Sequence, residues 1–163
     1  MIVKTRKYKL ENSTYIKLAM KHLLRTQWYW AAVPLGIIIL NVILNLTGVY
    51  PNIWIYFMAP LAIVLYLLFW AIQFTGVTQL EQNKVLFQKL LYEIDGRQIL
   101  IKLNSKEGMQ MKWEMIKKAY KEKDHFLLVV SKAQFIHLPY SIFNSENDIK
   151  FTESLLRRKN LIA

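Results

Sequence analysis

There is no cysteine in this sequence. Disulfides, thiolate metal sites and cysteine nucleophiles are therefore excluded, which fits a reducing cytosolic face. Acids are scarce too: 11 Asp and Glu stand against 22 Lys and Arg, a net charge of +11. Signatures of enzyme chemistry are also missing. The sequence has no Gly-rich phosphate loop, no Gly-x-Ser-x-Gly and no paired His at metal spacing. The widest gap is in charge of either sign. Residues 26–80 pass without one Asp, Glu, Lys or Arg, a run of 55.

Two apolar segments fill that gap, 28–46 and 53–74, of 19 and 22 residues. A helix rises about 1.5 Å per residue and the hydrocarbon core of a bilayer is about 30 Å thick, so either segment can cross. The pattern predicts a transmembrane helical hairpin. A buried helical pair in a soluble protein is the competing interpretation, and two charge-free runs of this length weigh against it. Thr47-Gly48-Val49-Tyr50-Pro51-Asn52 joins the spans, with Gly48, Pro51 and Asn52 suited to a tight connection. Trp28, Tyr29 and Trp30 open the first span, Tyr50, Trp54 and Tyr56 flank the turn, and Phe69, Trp70 and Phe74 close the second. Such rings collect at headgroup level. Lys9, Lys17, Lys21 and Arg25 precede the first span, while Lys84 and Lys89 follow the second. Lys and Arg near span ends stay inside, so both termini are expected in the cytoplasm. A cleaved signal peptide is not expected, because the apolar run starts only at Trp28, is too long and lacks a cleavage pattern.

The chain thus reads in three parts: an arm (1–27), the hairpin (28–74) and a tail (75–163). In the arm, Val3 to Leu10 alternates loosely and predicts a short strand. Asn12 and Ser13 suit a helix N-cap. Tyr15, Leu18, Ala19, His22 and Leu23 then share one helical face, with Lys17, Lys21 and Arg25 on another. Those three cations suit anionic lipid headgroups at the membrane surface. A solvated basic face on an ordinary packed helix is compatible with the same spacing. His22 on the apolar face is a packed residue rather than a ligand.

Within the hairpin, Asn41 and Asn45 lie four apart on one helical face. Carboxamides at membrane depth seek partners across the hairpin, in a second copy or in another membrane protein, and contact within the hairpin is the plainer expectation. Pro34 and Pro60 are candidate kink points. Neither span holds an ionisable group of the kind that proton relays and ion pathways use, so the hairpin alone does not make a transporter.

The tail changes period. A short helical connector is expected at 80–89, then strands at 91–95, 99–103, 109–113, 116–120, 126–130 and 134–138. Asp95-Gly96 is a hairpin signal, residues 104–108 form a second turn, and Lys121-Glu122-Lys123-Asp124 a charged one. Phe126 to Val130 is the most core-like strand. Ser145 caps a closing helix, with Glu146 and Asp148 in its first turn and Arg157, Arg158 and Lys159 in its last, the polarity that suits the helix dipole. The fold class is therefore membrane α+β: five or six antiparallel strands capped by a C-terminal helix. If the arm's strand joins that sheet, the hairpin is inserted into a discontinuous cytosolic domain. His125 and His137 fall on different expected elements and Glu93 and Asp95 near a turn, where solvated roles outweigh catalytic ones. Trp113 reads as core or interface.

The tail's wording is distinctive at Trp113-Glu114-Met115-Ile116-Lys117-Lys118, at Phe126-Leu127-Leu128, and at Phe135-Ile136-His137-Leu138-Pro139-Tyr140-Ser141-Ile142-Phe143. In these residues, and in the order strand, amphipathic helix, two spans and β-rich tail, the chain resembles the YcxB-like family of bacterial membrane proteins. The resemblance implies a pleckstrin-homology-like sheet capped by the last helix and a place in the bacterial inner membrane. It transfers no catalytic or ligand residues.

A basic balance points to nucleic acid or to an anionic membrane surface, and the hairpin with no nucleic-acid motif favours the membrane. The expectation is a non-enzymatic, membrane-anchored interaction module at the cytosolic face, needing no cofactor and no metal, with anionic lipid as its first partner. The alternative is a small accessory subunit of a larger respiratory, secretion or transport complex, held through Asn41 and Asn45.

Overall fold

The structure, a computed structural model, describes residues 1–49, 52–104 and 107–162. Tyr50 and Pro51 of the expected hairpin turn, and residues 105–106 of the second tail turn, lie outside the described residues. The chain divides into two compact units, residues 1–15 with 77–163, and residues 16–76.

The first unit is an antiparallel β structure. Its strands are β1 (Val3–Lys4), β2 (Tyr8–Lys9), β3 (Lys89–Ile94), β4 (Gln98–Lys102), β5 (Gly108–Lys112), β6 (Lys118–Lys121), β7 (His125–Val129) and β8 (Phe135–Pro139). One sheet runs β1-β3-β4-β5, with β2 also on β3; the other runs β6-β7-β8. Alternation explains the first sheet: Leu90, Tyr92 and Ile94 of β3 and Ile99 and Ile101 of β4 all turn inward. Every residue of β7, the middle strand of the second sheet, is buried. Trp113 follows β5 into a short 3-10 turn, is 2% exposed, and donates its indole N–H to Asp95 O at 3.0 Å.

The arm's expected single strand is split in two. Val3 pairs with Ile94 and Tyr8 with Leu90. Between them Arg6 N turns away to donate to Ile142 O at 2.7 Å. Thr5 keeps the arm on the sheet. Its N–H donates to Tyr92 O at 2.9 Å and its hydroxyl accepts from Tyr92 N at 3.0 Å, so the buried backbone of Tyr92 is satisfied across the break. The arm and the tail therefore share one sheet.

The β3–β4 hairpin turns at Asp95, whose Oδ1 accepts from Arg97 N and Gln98 N at 2.6 and 2.8 Å. Gly96 does not take the left-handed conformation there. Gly108 is constrained differently: a Cβ at this position would sit 3.1 Å from Ile101 O and 3.3 Å from Lys102 Cγ. Gly108→Ala is expected to cost about 1 kcal/mol in denaturant unfolding, by pushing β5 off β4. Gly96→Ala, whose nearest neighbour would be Leu155 Cδ2 at 4.0 Å, should stay within about 0.5 kcal/mol.

After β8 the chain reaches the last helix, Glu146–Arg158, capped as expected by Ser145 Oγ, which accepts from Asp148 N at 3.2 Å. Leu155 and Leu156 enter the core shared by both sheets. Asn160 takes a left-handed φ of 55° just past the helix, and Leu161 N closes on Leu156 O at 3.0 Å. Leu161 O then accepts from Ala119 N of β6 at 2.9 Å.

The second unit is helical. Most of α1 (Asn12–Gln27) lies in it, then a 3-10 turn (Trp28–Ala31), α2 (Ala32–Leu46) and α3 (Trp54–Gln79), so the closing helix of the first unit is α4. The first apolar segment is thus not one uniform α-helix: Trp28–Ala31 winds tighter, and Pro34 falls in the first turn of α2, where a missing N–H costs little. Pro60 lies inside α3. That helix runs five residues past the expected end at 74, and Thr75 Oγ1 donates back to Ala71 O at 2.8 Å. The expected helical connector is a 3-10 stretch, Glu81–Phe87. Asn12–Leu46 and Trp54–Gln79 are both long and apolar enough to cross a membrane.

Candidate functional site

Among the described residues, four places gather polar or concave features. The first is the basic face of α1. Lys17, Lys21 and Arg25 are all exposed along it, and Arg25 lies in the last turn, where a cation suits the helix dipole. On the same helix Leu18, Ala19 and Leu23 are buried. The amphipathic spacing read from the sequence is therefore present. Thr26 Oγ1 lies 3.5 Å from His22 Nε2, a local contact rather than a ligand set.

The second is the end of the α2–α3 hairpin. Asn41 is 1% exposed and donates from Nδ2 to Asn52 O at 3.1 Å. Asn45 Nδ2 donates to Asn41 O at 2.8 Å and to Asn52 O at 3.3 Å. Asn52 in turn starts α3, its Oδ1 accepting from Trp54 N at 2.9 Å. Both carboxamides thus serve the turn itself, where Gly48 carries a φ of +71°.

The third is a buried histidine pair that the sequence kept apart. β7 and β8 pair with Leu127 opposite His137 and His125 opposite Pro139, so His125 and His137 are diagonal neighbours on one face. Their ring centroids are 4.5 Å apart. Asp124 Oδ1 lies 2.7 Å from His125 Nδ1, and Tyr8 OH lies 2.8 Å from His137 Nδ1. Tyr8 belongs to one sheet and His137 to the other, so this contact fastens the two together. Burial holds the His137 ring down to about 4, helped by the neighbouring His125 and opposed by Asp124. Burial, with Glu11 adding to it, pushes the Tyr8 phenol up. A neutral imidazole against a protonated phenol is a stable hydrogen bond, not a poised base. Among the described residues no group of three or more His, Asp or Glu could hold a metal ion. Glu93, another early candidate, is tied up as well: Lys102 Nζ is 2.8 Å and Lys4 Nζ 3.7 Å away, and the Lys102 hydrogen bond holds its carboxyl below the usual range.

Both histidines and the distinctive wording of the tail lie between the end of β5 and the start of α4. Residues 94–156 match the model of the YcxB-like protein family. The three quoted stretches, 113–118, 126–128 and 135–143, all fall inside the match. The YcxB-like stretch begins at the last residue of β3 and ends inside α4, so β1, β2 and the three helices α1–α3 lie outside it. No curated protein and no solved structure matches the chain.

The fourth place lies outside the YcxB-like stretch, within the helical unit. A recess of about 510 Å³ opens between α2 and α3 and continues over the end of α1. On α3 it is floored by Ala59 and Ala62, whose small side chains leave the depth, and on α2 it is walled by Val33, Pro34 and Ile37. Tyr66 OH donates to Gln27 Oε1 at 2.7 Å at its α1 end, joining α3 to α1. Sequence reasoning missed this recess. The small residues at spacing three were the available signal, but α3 is apolar all round and shows no face.

Proposed function

We propose that the chain is a non-enzymatic, membrane-anchored interaction module, presenting a pleckstrin-homology-like domain at the cytosolic face of the bacterial inner membrane. One observation carries the reading. The two long helices are apolar, yet only 6% of the most apolar window of each is buried. A core helix of a soluble protein buries such a surface, and water does not tolerate it over this length. Lys17, Lys21 and Arg25 before the first crossing and Lys84 and Lys89 after the second support a cytosolic position for both termini. The two antiparallel sheets closed by α4 support the pleckstrin-homology-like assignment of the first unit. The cations of α1 would then lie at the level of anionic headgroups, each worth about 1 kcal/mol there.

The cysteine-free chain makes the test direct. Val49→Cys is expected to react with a membrane-impermeant maleimide in intact cells, and Lys123→Cys only after permeabilisation. Labelling of Lys123→Cys from outside would reverse the topology. Release of the whole chain by alkaline carbonate would abolish the anchor. Co-purification of a second polypeptide at fixed stoichiometry in mild detergent would favour the accessory-subunit reading instead.

A further inference from the structure

Charges meet directly across the first sheet at two places, and the two are opposite in kind. At one, Lys4 faces Glu93, with Nζ 3.7 Å from the carboxylate, and Lys102 closes on the same group at 2.8 Å. At the other, four residues back along β3, Lys9 faces Lys89. Directly opposite side chains start about 5 Å apart, and like charges so placed oppose strand pairing. Both lysines are exposed, and neither makes an ion pair or a side-chain hydrogen bond among the described residues. Among the described strand pairs no other sets like charges opposite each other. Lys4, Lys9, Lys89, Lys102 and Lys112 share the outer face of the sheet, where Glu93 is the one acid on a strand and already serves two lysines. Glu11, the acid nearest in sequence to Lys9, stands past the end of β2 and forms no ion pair among the described residues.

The place of the pair along the chain bears on which anion it meets. Two residues, 10 and 11, separate Lys9 from α1, and nine, 80–88, separate Lys89 from α3. The pair thus sits on the strands that lead out to the apolar helices and back from them. Resting on the membrane reading above, we propose that Lys9 and Lys89 together hold the phosphate of one anionic phospholipid of the cytosolic leaflet. That phosphate supplies between the two lysines the negative charge that Glu93 supplies between Lys4 and Lys102. Each ammonium group has three donors and no acceptor, so two of them match the charged oxygens of a phosphodiester. The short tethers keep the pair close to a layer dense in such groups, whereas a soluble anion must be drawn from bulk water.

Hydrogen exchange of the full chain tests this at segments 3–10 and 88–94, in phosphate-free buffer and in nanodiscs of phosphatidylcholine with or without phosphatidylglycerol. In the wild type, phosphatidylglycerol should slow exchange in both segments by about fivefold for each cation engaged. Lys9→Gln/Lys89→Gln should lose that response while keeping any effect that phosphatidylglycerol has on α1. Lys89→Glu rebuilds at this position the arrangement found at Glu93. Its exchange in phosphatidylcholine should be about two- to fivefold slower than that of the wild type, with no further slowing by phosphatidylglycerol. Lys112→Gln, opposite Gln98 at the other end of the same face, should respond as the wild type does. All three positions are exposed, so these variants should fold, as circular dichroism would verify. A double variant that still responds like the wild type would overturn the proposal. So would equal slowing by millimolar inorganic phosphate in phosphatidylcholine discs, which would give the pair to a soluble anion. Both results leave the membrane reading standing, whereas carbonate extraction of the wild type would remove that reading itself.

Discussion

Trp113→Ala is expected to lower the unfolding free energy of the β unit by about 3–5 kcal/mol, the usual cost of emptying a tryptophan site in a core. The ring is buried at the junction of β5 with the second sheet, among Ile99, Ile116 and Leu155 of one cluster. A unit of this size has about 5–15 kcal/mol in total, so the variant loses at least about a fifth of its stability. Trp113→Phe separates packing from polarity. It keeps most of the contact area and removes the indole donor from Asp95 O, for an expected loss of about 1–2 kcal/mol. Denaturant unfolding in neutral detergent, followed by near-ultraviolet circular dichroism, measures both. A Trp113→Ala variant as stable as Trp113→Phe would show that the ring's volume is not what the core relies on.

Acidification should destabilise the same unit by about 2–3 kcal/mol between pH 6.5 and pH 4. His137 titrates near 6.5 when unfolded and near 4 when folded. As pH falls through 6.5 the unfolded chain takes up a proton that the folded chain refuses, so unfolding is favoured, and the loss levels off below 4. A gap of this size corresponds to about 3 kcal/mol at most, less whatever solvent screening remains at the strand end. Asp124, held low first by its hydrogen bond from His125, and Glu93 and Glu153, held low by their lysine hydrogen bonds, add their own losses once the pH reaches the ordinary carboxylate range. His137→Gln should therefore flatten the upper part of the acid limb and leave the lower part in place. His125→Gln should move the His137 midpoint upward, because it removes the like charge that His137 meets. Histidine C2-proton shifts read the His137 midpoint in the wild type and in His125→Gln. A His137 midpoint near 6.5 in the folded wild type would contradict the buried geometry.

What the sequence could show, it showed through period and charge. Alternation in Leu90 to Ile94 and Ile99 to Ile101 placed strands to within a residue or two, and Ser145 with Glu146 and Asp148 marked the start of α4. Hydropathy located both long helices and the end of α2 at Leu46, but not the end of α3, which outlasts the apolar segment 53–74 because Thr75 to Gln79 continue the backbone hydrogen bonding. The turn at Asp95 was legible, its geometry was not. Asp95-Gly96 marks the hairpin in the sequence, but that the Asp95 carboxylate organises it by accepting from Arg97 N and Gln98 N shows only in the structure. The α1 cations followed from spacing alone. The histidine pair did not, because placing His125 beside His137 needs the register of β7 on β8, which depends on how Val130 to Gln134 closes the hairpin. Thr5 likewise reveals its role only when Tyr92 lies across from it. The recess depends on which sides of α2 and α3 meet, and two helices without a polar face carry no mark of that.

Thr5 and its neighbours have one more consequence. The strand partners of Val3, Thr5 and Tyr8 lie in residues 90–94, more than eighty positions later. During synthesis the first strands leave the ribosome with nothing to pair with, and both apolar helices emerge before their partner does. The arm must wait through that interval with its backbone hydrated, and the β unit closes only once translation has passed Ile94. Completion of the sheet is thereby a built-in report that the intervening helices have already been made.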